Sequence, residues 1–208
     1  MVYAVKVMPR SRSLTLPAIA AAALAVVDRD GLAGLSMRSL AAELGTGTMS
    51  LYRYVEDREQ LERAIVDLIL SRVDLILDSD AAWDANVMLL LQRVRASAGA
   101  HPAIVPLLLM HRHLSGGSVR FGETLLTLLG QGGLTGQRRV IAFRTLLSFV
   151  LGALQYQHLG SVTGSGTASL AELPVSEFPL LAETARAAQS LSPDDEFDVG
   201  LRLVIGRP

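Results

Sequence analysis

The sequence predicts an all-α protein, and three observations support this. Apolar residues recur at three- and four-residue spacing along most of the chain, a Ser, Thr or Asp precedes many of these segments, and no alternating apolar–polar run exceeds a few residues. A hydrophobic content of 50% with only 19% charged residues excludes a disordered chain, and 208 residues suffice for one large or two small domains. Because there is no cysteine, disulfides, zinc–thiolate sites and a thiol nucleophile are excluded.

The charge is unevenly distributed, although the net charge is only −1. Residues 1–55 carry +3 and residues 56–208 carry −4. The basic N-terminal quarter therefore suits a polyanionic partner better than the net charge of the whole chain suggests.

Four helices are predicted in the first 75 residues. They begin at or near Thr15, Ser36, Thr48 and Asp57. Gly31 is expected to end the first helix and Gly45 the second, and Gln60 has the spacing of a capping box with Asp57.

Five further helices are predicted in the second half. They begin near Asp84, Ser118, Arg138, Ser176 and Ser192. His101-Pro102 interrupts the first of them, and residues 160–169, rich in Gly and Ser, are expected to form a flexible loop. The helix over 138–159 is apolar nearly all round, so other helices must cover several of its sides.

The second and third helices are short, and Gly45-Thr46-Gly47 joins them, which is the helix-turn-helix arrangement. If Leu51 and Val55 point inward, the outer face of the third helix carries hydroxyl, aromatic and guanidinium groups suited to base edges and phosphates. That face consists of Thr48, Met49, Ser50, Arg53 and Tyr54. From chemistry alone, the alternative is a pair of packed helices with ordinary solvated side chains.

Residues 35–61, LSMRSLAAELG-TGTMSLYRYV-EDREQL, closely resemble the DNA-binding domain of the tetracycline-repressor family, and the resemblance covers residues 14–75 without gaps. It implies a three-helix helix-turn-helix domain at 14–60, preceded by a mobile basic arm at 1–13. A long helix would join it to a helical effector-binding and dimerisation domain at 61–208. The second half resembles the family only in its helix pattern, in His101-Pro102 and in residues 149–153.

The resemblance also implies which residues contact double-stranded DNA. Ser36, Arg38 and Arg58 would hold phosphates, Tyr52 would contact or pack near the backbone, and Thr48, Met49, Ser50, Arg53 and Tyr54 would face the major groove. Arg53 is the best candidate for a base contact, with a phosphate contact as the equal alternative. Met49 stands where the tetracycline repressor has a proline, so its operator preference cannot be carried over.

A homodimer on a palindromic operator is expected, because one short recognition helix offers few base contacts. The helices at 138–159 and 192–205 are the expected interface, as a four-helix bundle. The alternative is that the long helix is simply the core of a monomer.

An apolar small-molecule effector is expected to bind a cavity between the fourth helix and this bundle. Its expected lining is Trp83, Leu91, Leu107, Met110, Phe121, Phe143, Leu147 and Tyr156, with Arg144, Gln155 and His158 as polar contacts. Residues of this kind are more often plain core than ligand contacts. The three polar residues are the better candidates because buried polar groups need partners.

Three features are expected to carry no further chemistry. His111 and His113 are interpreted as surface histidines, and we expect no metal site or cofactor, because residues two apart on a helix point in different directions. Residues 194–196 lie in a helix first turn, where acids stabilise the dipole. Residues 130–133 lack the spacing and the Lys of a phosphate loop.

The N-terminus could be mistaken for a secretory leader, because Lys6, Arg10 and Arg12 precede the apolar run at 16–27. Residues 28–30 close that run with charges, and the following helices need it as a packing partner. No apolar run is expected to reach the ~18 residues of a membrane span. We therefore expect a cytoplasmic protein without membrane contact.

The functional hypothesis is a ligand-responsive dimeric transcriptional repressor that is not an enzyme. Two alternatives remain. One is a small helical enzyme using the second-domain cavity, with His101, His111, His113 and His158 as candidates. The other is a dimeric interaction module with a vestigial helix-turn-helix.

Overall fold

The computed structural model describes residues 14–111, 115–159 and 165–206, and these residues form helices and the turns between them. The first four helices are α1 (Leu16–Gly34), α2 (Met37–Glu43), α3 (Thr48–Leu51) and α4 (Arg58–Ser71). The others are α5 (Trp83–Gly99), α6 (Val105–His111), α7 (Gly116–Gln131), α8 (Gly136–Leu159), α9 (Ser165–Ala171), α10 (Pro179–Ala188) and α11 (Pro193–Ile205), with a 3₁₀ turn at Pro102–Ile104.

The predicted helix starts at Thr15, Ser36 and Asp57 are confirmed, and each side chain caps its helix. The Thr15 hydroxyl accepts a hydrogen bond from the Ala18 amide at 3.3 Å. At α4 the capping is shared, because Asp57 accepts from the Gln60 amide at 2.7 Å while the Gln60 side chain accepts from the Glu56 amide. The capping box therefore reaches one residue further back than the spacing predicts.

Two predicted glycine positions change the direction of the backbone. Gly31 has φ of +71° and interrupts the helical geometry of α1, whose last residues continue to Gly34. Gly45 has φ of +63° and turns the chain from α2 towards α3. Such φ values are readily adopted by glycine and cost other residues strain.

The core is continuous across both halves of the chain, and α4 lies at its centre, packed against α1, α5, α6 and α7. The buried face of α4 contains Leu61, Ile65 and Ile69, as the spacing predicts, but also Val66 and Leu70. The link between the DNA-binding helices and the second half is therefore a shared hydrophobic core rather than a flexible tether.

Three predicted elements differ from the structure. The helix predicted near Ser118 begins at Gly116, because the Ser115 hydroxyl caps it by accepting from the Ser118 amide at 3.1 Å. The predicted loop at 160–169 is wrong over its last five residues, which belong to α9; residues 160–164 lie outside the described residues. The helix joining the two halves is also short, since α4 ends at Ser71.

The long helix α8 is covered on one side only. Leu146, Val150 and Leu154, spaced four residues apart, are buried, whereas Val140, Ile141 and Tyr156 are exposed. Its stretch Gly136–Gln157 is long and apolar enough to cross a membrane by length and composition, so the expectation that no segment has this property is wrong. Only 17% of its most apolar window is buried within the single chain, which leaves an apolar face that a partner helix can cover.

Candidate nucleic-acid interface and effector chamber

The recognition element is the segment that follows the Gly45 turn. Leu51 and Val55 are fully buried in the hydrophobic core, as predicted, and they fix which side of α3 faces outward. Regular helix covers only Thr48–Leu51, and the chain continues as a turn in which the Tyr54 and Val55 amides donate to the Leu51 carbonyl. The element is thus shorter than predicted, but its outward residues are still contiguous.

The side chains predicted to face DNA lie on this outer surface. Met49 is 78% exposed, and Tyr52, Arg53 and Tyr54 are also exposed, while Thr48 and Ser50 are half-buried. Residues 45–55 contain no acid, so a polyanion can approach this surface without like-charge repulsion.

Arg38 and Arg53 are exposed and make no hydrogen bond or ion pair with any other residue that the structure describes. Arg29, by contrast, joins α1 to α2: it donates to Asp30 and, at 2.8 Å, to Glu43. Hydrogen bonds with Asp30 and then Glu43 raise the pKa of the Arg29 guanidinium above its ordinary value. Arg29 therefore fixes the helix-turn-helix, and Arg38 and Arg53 are the cations available to phosphate.

Two other residues implied as phosphate contacts are engaged within the protein. The Ser36 hydroxyl accepts from the Ser39 amide at 3.0 Å and so caps α2. Arg58 donates from Nη1 to the Leu35 carbonyl and from Nη2 to the Leu32 carbonyl, both at 2.9 Å. Their first role is to hold the α1–α2 connection in place, and Arg58 has few donors left for DNA.

A buried glutamate–histidine pair adjoins Arg58. The third donor of Arg58, Nε, contacts Oε1 of Glu62 at 2.8 Å, and Oε2 of Glu62 lies 3.0 Å from Nε2 of His111. Both side chains are buried. The interpretation of His111 as a surface histidine is therefore wrong; Arg112 and His113 lie outside the described residues.

Sequence reasoning missed Glu62, although a signal was present. Val66 and Leu70 follow Glu62 at intervals of four, so the three share one helix face. A carboxylate on an apolar face needs a partner, and Arg58 has the i,i+4 spacing that supplies one. The second partner, His111, comes from a distant part of the sequence.

An apolar chamber lies between α4, α5, α6, α7 and α8. Its cavity volume is about 80 Å³. Four predicted residues line it, namely Leu91, Phe121, Phe143 and Leu147. The lining residues that were not predicted are Leu70, Val94, Leu108, Ser118, Gly122, Val150, Leu151 and Leu154.

The structure distributes the remaining predicted effector residues over other places. Arg144 and Gln155 line a recess beside the chamber, and Tyr156 lines a groove between α8 and α11. Trp83 packs so closely on Gly132 that a Cβ there would lie 2.5 Å from the indole ring.

Two further predicted effector residues lie on α6, and a third is a histidine whose side chain the structure does not describe. Leu107 is buried next to the lining residue Leu108, and Met110 is 64% exposed. The side chain of His158 is not among the described ones.

These features define a helix-turn-helix DNA-binding protein whose second, helical half contains an apolar chamber. Comparison with known proteins supports this class of protein. A family model described as the tetracyclin repressor-like C-terminal domain matches residues 77–206. The HTH-type transcriptional repressor DrrR1 of Streptomyces coeruleorubidus is 35% identical over 211 residues, covering 93% of this chain and 76% of the relative. The chain therefore belongs to the tetracycline-repressor family of transcriptional regulators.

Solved structures extend the similarity to the fold. Apo ActR from Streptomyces coelicolor superposes with a TM-score of 0.83 at 29% identity, covering 94% of each chain. ActR in complex with actinorhodin superposes with a TM-score of 0.82 at the same identity, covering 93% of this chain and 94% of ActR. Both the helix-turn-helix half and the chamber half thus have counterparts in a solved regulator.

Proposed function

We propose that this regulator is a cytoplasmic homodimeric repressor that binds a palindromic operator, and that an apolar effector in the chamber changes its affinity for DNA. The observation that carries the proposal is the outer surface of residues 48–54, which carries the unengaged Arg53 and no acid, together with the unengaged Arg38 on α2. The protein is proposed to have no catalytic role. His101 pairs with Asp28 and His111 with Glu62, so these two enzyme candidates lie in separate places.

The DNA contacts are proposed in two groups. Arg38 binds phosphate, and Arg53 binds either a guanine edge or phosphate, since both nitrogens of its fork are free. Met49, Tyr52 and Tyr54 supply apolar and hydroxyl contacts, with Thr48 and Ser50 closer to the helix start. Ser36 and Arg58 support this surface from within rather than carrying the charge that attracts DNA.

The dimer is supported by the exposed apolar side chains of α8 and α11. Val140, Ile141 and Tyr156 on α8 and Val199 and Leu203 on α11 are large, apolar and exposed in the single chain. The two helices pack together within the chain, and the Phe149 and Phe197 rings lie 5.4 Å apart. Two such pairs of helices give the four-helix arrangement that α8 needs to be covered.

Effector binding is supported by the chamber and by likeness to ActR, which has been solved in complex with actinorhodin. The proposed domain boundary falls between residues 60 and 61, inside α4. Because α4 packs on α1 and also on α5, α6 and α7, an effector that favours one position of α4 also biases the DNA-binding helices.

The experiment that tests the proposal is selection from random duplex DNA with the purified full chain. Enrichment of a palindrome, bound by two chains with steep salt dependence, supports it. Uniform weak binding that Arg38→Ala and Arg53→Ala leave unchanged contradicts it. Arg186→Ala, which removes an exposed arginine from α10, is the matched control for loss of one positive charge.

A further inference from the structure

We propose that Glu62 and His111 are positioning residues for operator binding. Both side chains are buried, and they act through Arg58, which holds the connection between α1 and α2. The inference rests on the proposed function and adds two residues that support the DNA-binding surface from behind.

Arg58 binds the connection between α1 and α2 at two points. Nη2 donates to the Leu32 carbonyl, one residue after Gly31 interrupts the helical geometry of α1. Nη1 donates to the Leu35 carbonyl, next to the residue that caps α2, and both distances are 2.9 Å. The last carbonyls of a helix need donors from outside it, and a guanidinium supplies two at once. One side chain therefore holds both ends of this connection.

The position of the connection determines where Arg38 lies. Arg38 is in the first turn of α2, which Ser36 caps. The Ser39 hydroxyl in the same turn donates to the Gly34 carbonyl at 2.8 Å. Because α3 packs on α2, a shift at the start of α2 displaces the proposed phosphate contact and the outer surface of residues 48–54 together.

Glu62 restricts the conformations of Arg58. The Arg58 side chain is 53% exposed, whereas that of Glu62 is only 10% exposed. A long, exposed arginine samples several rotamers, and fixing it in one costs conformational entropy. The contact of 2.8 Å between Nε and Oε1 attaches the guanidinium to a side chain that burial already holds in place. Glu62 therefore limits the directions in which Arg58 donates.

His111 restricts Glu62 in turn. Nε2 of His111 lies 3.0 Å from Oε2 of Glu62, and only 5% of the His111 side chain is exposed. Without this partner the carboxyl group of Glu62 is free to rotate about its terminal bond, or to turn both oxygens towards the guanidinium, which is a favourable contact. Either movement changes how Arg58 presents Nη1 and Nη2 to the two carbonyls.

The test compares binding to the selected operator with binding to random duplex DNA, by fluorescence anisotropy on the purified full chain. His111→Leu is the main variant, because it removes the contact with Glu62 and no permanent charge. We expect it to weaken operator binding about tenfold and binding to random DNA by less than about twofold. Binding to random DNA depends mainly on the number of neutralised phosphates, whereas operator binding also depends on where the recognition residues lie.

Dependence on Arg58 separates positioning from a general loss of stability. In an Arg58→Gln background, His111→Leu should weaken operator binding by less than about a further twofold, because the residue through which His111 acts is already absent. Glu62→Gln is a second variant of nearly unchanged size, and it should weaken operator binding in the parent but not in the Arg58→Gln background. A variant that merely unfolds the protein would weaken binding to both DNAs in both backgrounds.

His101→Leu is the matched control. His101 also joins the two halves of the chain through an acid, since its Nδ1 lies 2.8 Å from Oδ2 of Asp28 on α1. Neither His101 nor Asp28 is among the partners that the structure gives Arg58. The operator affinity of His101→Leu should therefore stay within about twofold of the parent. Circular dichroism of each variant measures the folded fraction to which the affinities are referred.

Three results would overturn the inference. These are parent-like operator affinity of folded His111→Leu, an equal loss on operator and random DNA, and a full loss that persists in the Arg58→Gln background. Each leaves the enrichment of a palindrome intact, so the regulator would stand and only the roles of Glu62 and His111 would fall. Failure of the selection itself would instead contradict the proposed function.

Discussion

Nε2 of His111 lies 3.0 Å from Oε2 of Glu62, and this contact joins the last residue of α6 to the second turn of α4. Oε1 of the same carboxylate contacts Arg58, whose other nitrogens donate to the Leu32 and Leu35 carbonyls. A continuous series of polar contacts therefore runs from the chamber half of the protein to the connection between α1 and α2. Both side-chain oxygens of Glu62 have a polar partner, as buried polar groups require.

Removing the His111 side chain should destabilise the protein, because it also removes a hydrogen-bond partner of buried Glu62. His111→Ala leaves one oxygen of buried Glu62 without its partner, and we expect the free energy of unfolding to fall by about 2 kcal/mol. Urea denaturation measures this change in the free energy of unfolding. His101→Ala is the matched control, because His101 also pairs with a carboxylate, Asp28, but at a partly exposed site, where the loss should stay below about 1 kcal/mol. Equal losses for both variants would contradict the argument.

Arg58 and His111 should be energetically coupled although they do not touch, since Glu62 binds both. In a double-mutant cycle with Arg58→Gln and His111→Gln, we expect the double variant to deviate from additivity by at least about 0.5 kcal/mol. Denaturant midpoints of the four proteins give the coupling energy. Arg63→Gln with His111→Gln is the control cycle, because Arg63 pairs with Glu59 on another side of α4. Additivity in both cycles would mean that the Arg58–Glu62 and Glu62–His111 contacts stabilise the protein independently.

The sequence predicts well those features that depend on neighbours along the chain. The caps at Thr15, Ser36 and Asp57 and the turn at Gly45 are local, because each is decided by residues within four positions. The outward face of residues 48–54 follows from the inward placement of Leu51 and Val55. The predicted family follows from the same segment.

The sequence predicts poorly those features that depend on distant residues. Burial of His111 requires Glu62, 49 positions away, and the internal hydrogen bonds of Arg58 reach carbonyls 23 and 26 positions away. The prediction of the chamber lining is limited in the same way. Leu91 and Phe121 line it as predicted, while Trp83, the largest candidate, packs on Gly132 because that glycine leaves room for an indole.

Two glycines of α7 should respond in opposite ways to alanine. Gly122→Ala adds a methyl group at ordinary contact distance from Phe143, so the gain in helix propensity should stabilise the protein by about 0.5–1 kcal/mol. Gly117→Ala places its Cβ 2.8 Å from the backbone nitrogen of Ser71, so α4 and α7 must separate. We expect it to destabilise by about 1–3 kcal/mol. Thermal unfolding of the two variants gives the comparison, and a shift of the same sign in both would contradict the packing.

The apolar face of α8 should control the oligomeric state. Ile141 is exposed in the single chain, so Ile141→Glu costs little within a monomer but places a charge in the proposed interface. We expect sedimentation equilibrium to show a dimer dissociation constant raised by at least about 100-fold. Val119→Glu, at an equally exposed apolar position on α7, should leave the dimer intact. A dimer unaffected by Ile141→Glu would place the interface elsewhere.

Arg38 and Arg53 can be assigned to phosphate or to a base by the salt dependence of operator binding. If an arginine neutralises one phosphate in each of two copies, its replacement by alanine should reduce the slope of log K against log[salt] by about 2, with equal losses on specific and random DNA. We expect this of Arg38→Ala, because Arg38 is exposed in the first turn of α2, where the helix N-terminus also favours phosphate. If Arg53 instead binds a guanine edge, Arg53→Ala should leave the slope nearly unchanged and remove about 1–3 kcal/mol of preference at one operator position in each half-site.

Fluorescence anisotropy over a salt series, with operators substituted one base pair at a time, distinguishes a phosphate contact from a base contact. An Arg53→Ala protein that loses affinity equally on all sequences would assign Arg53 to phosphate, and sequence reading would then fall to Met49, Tyr52 and Tyr54.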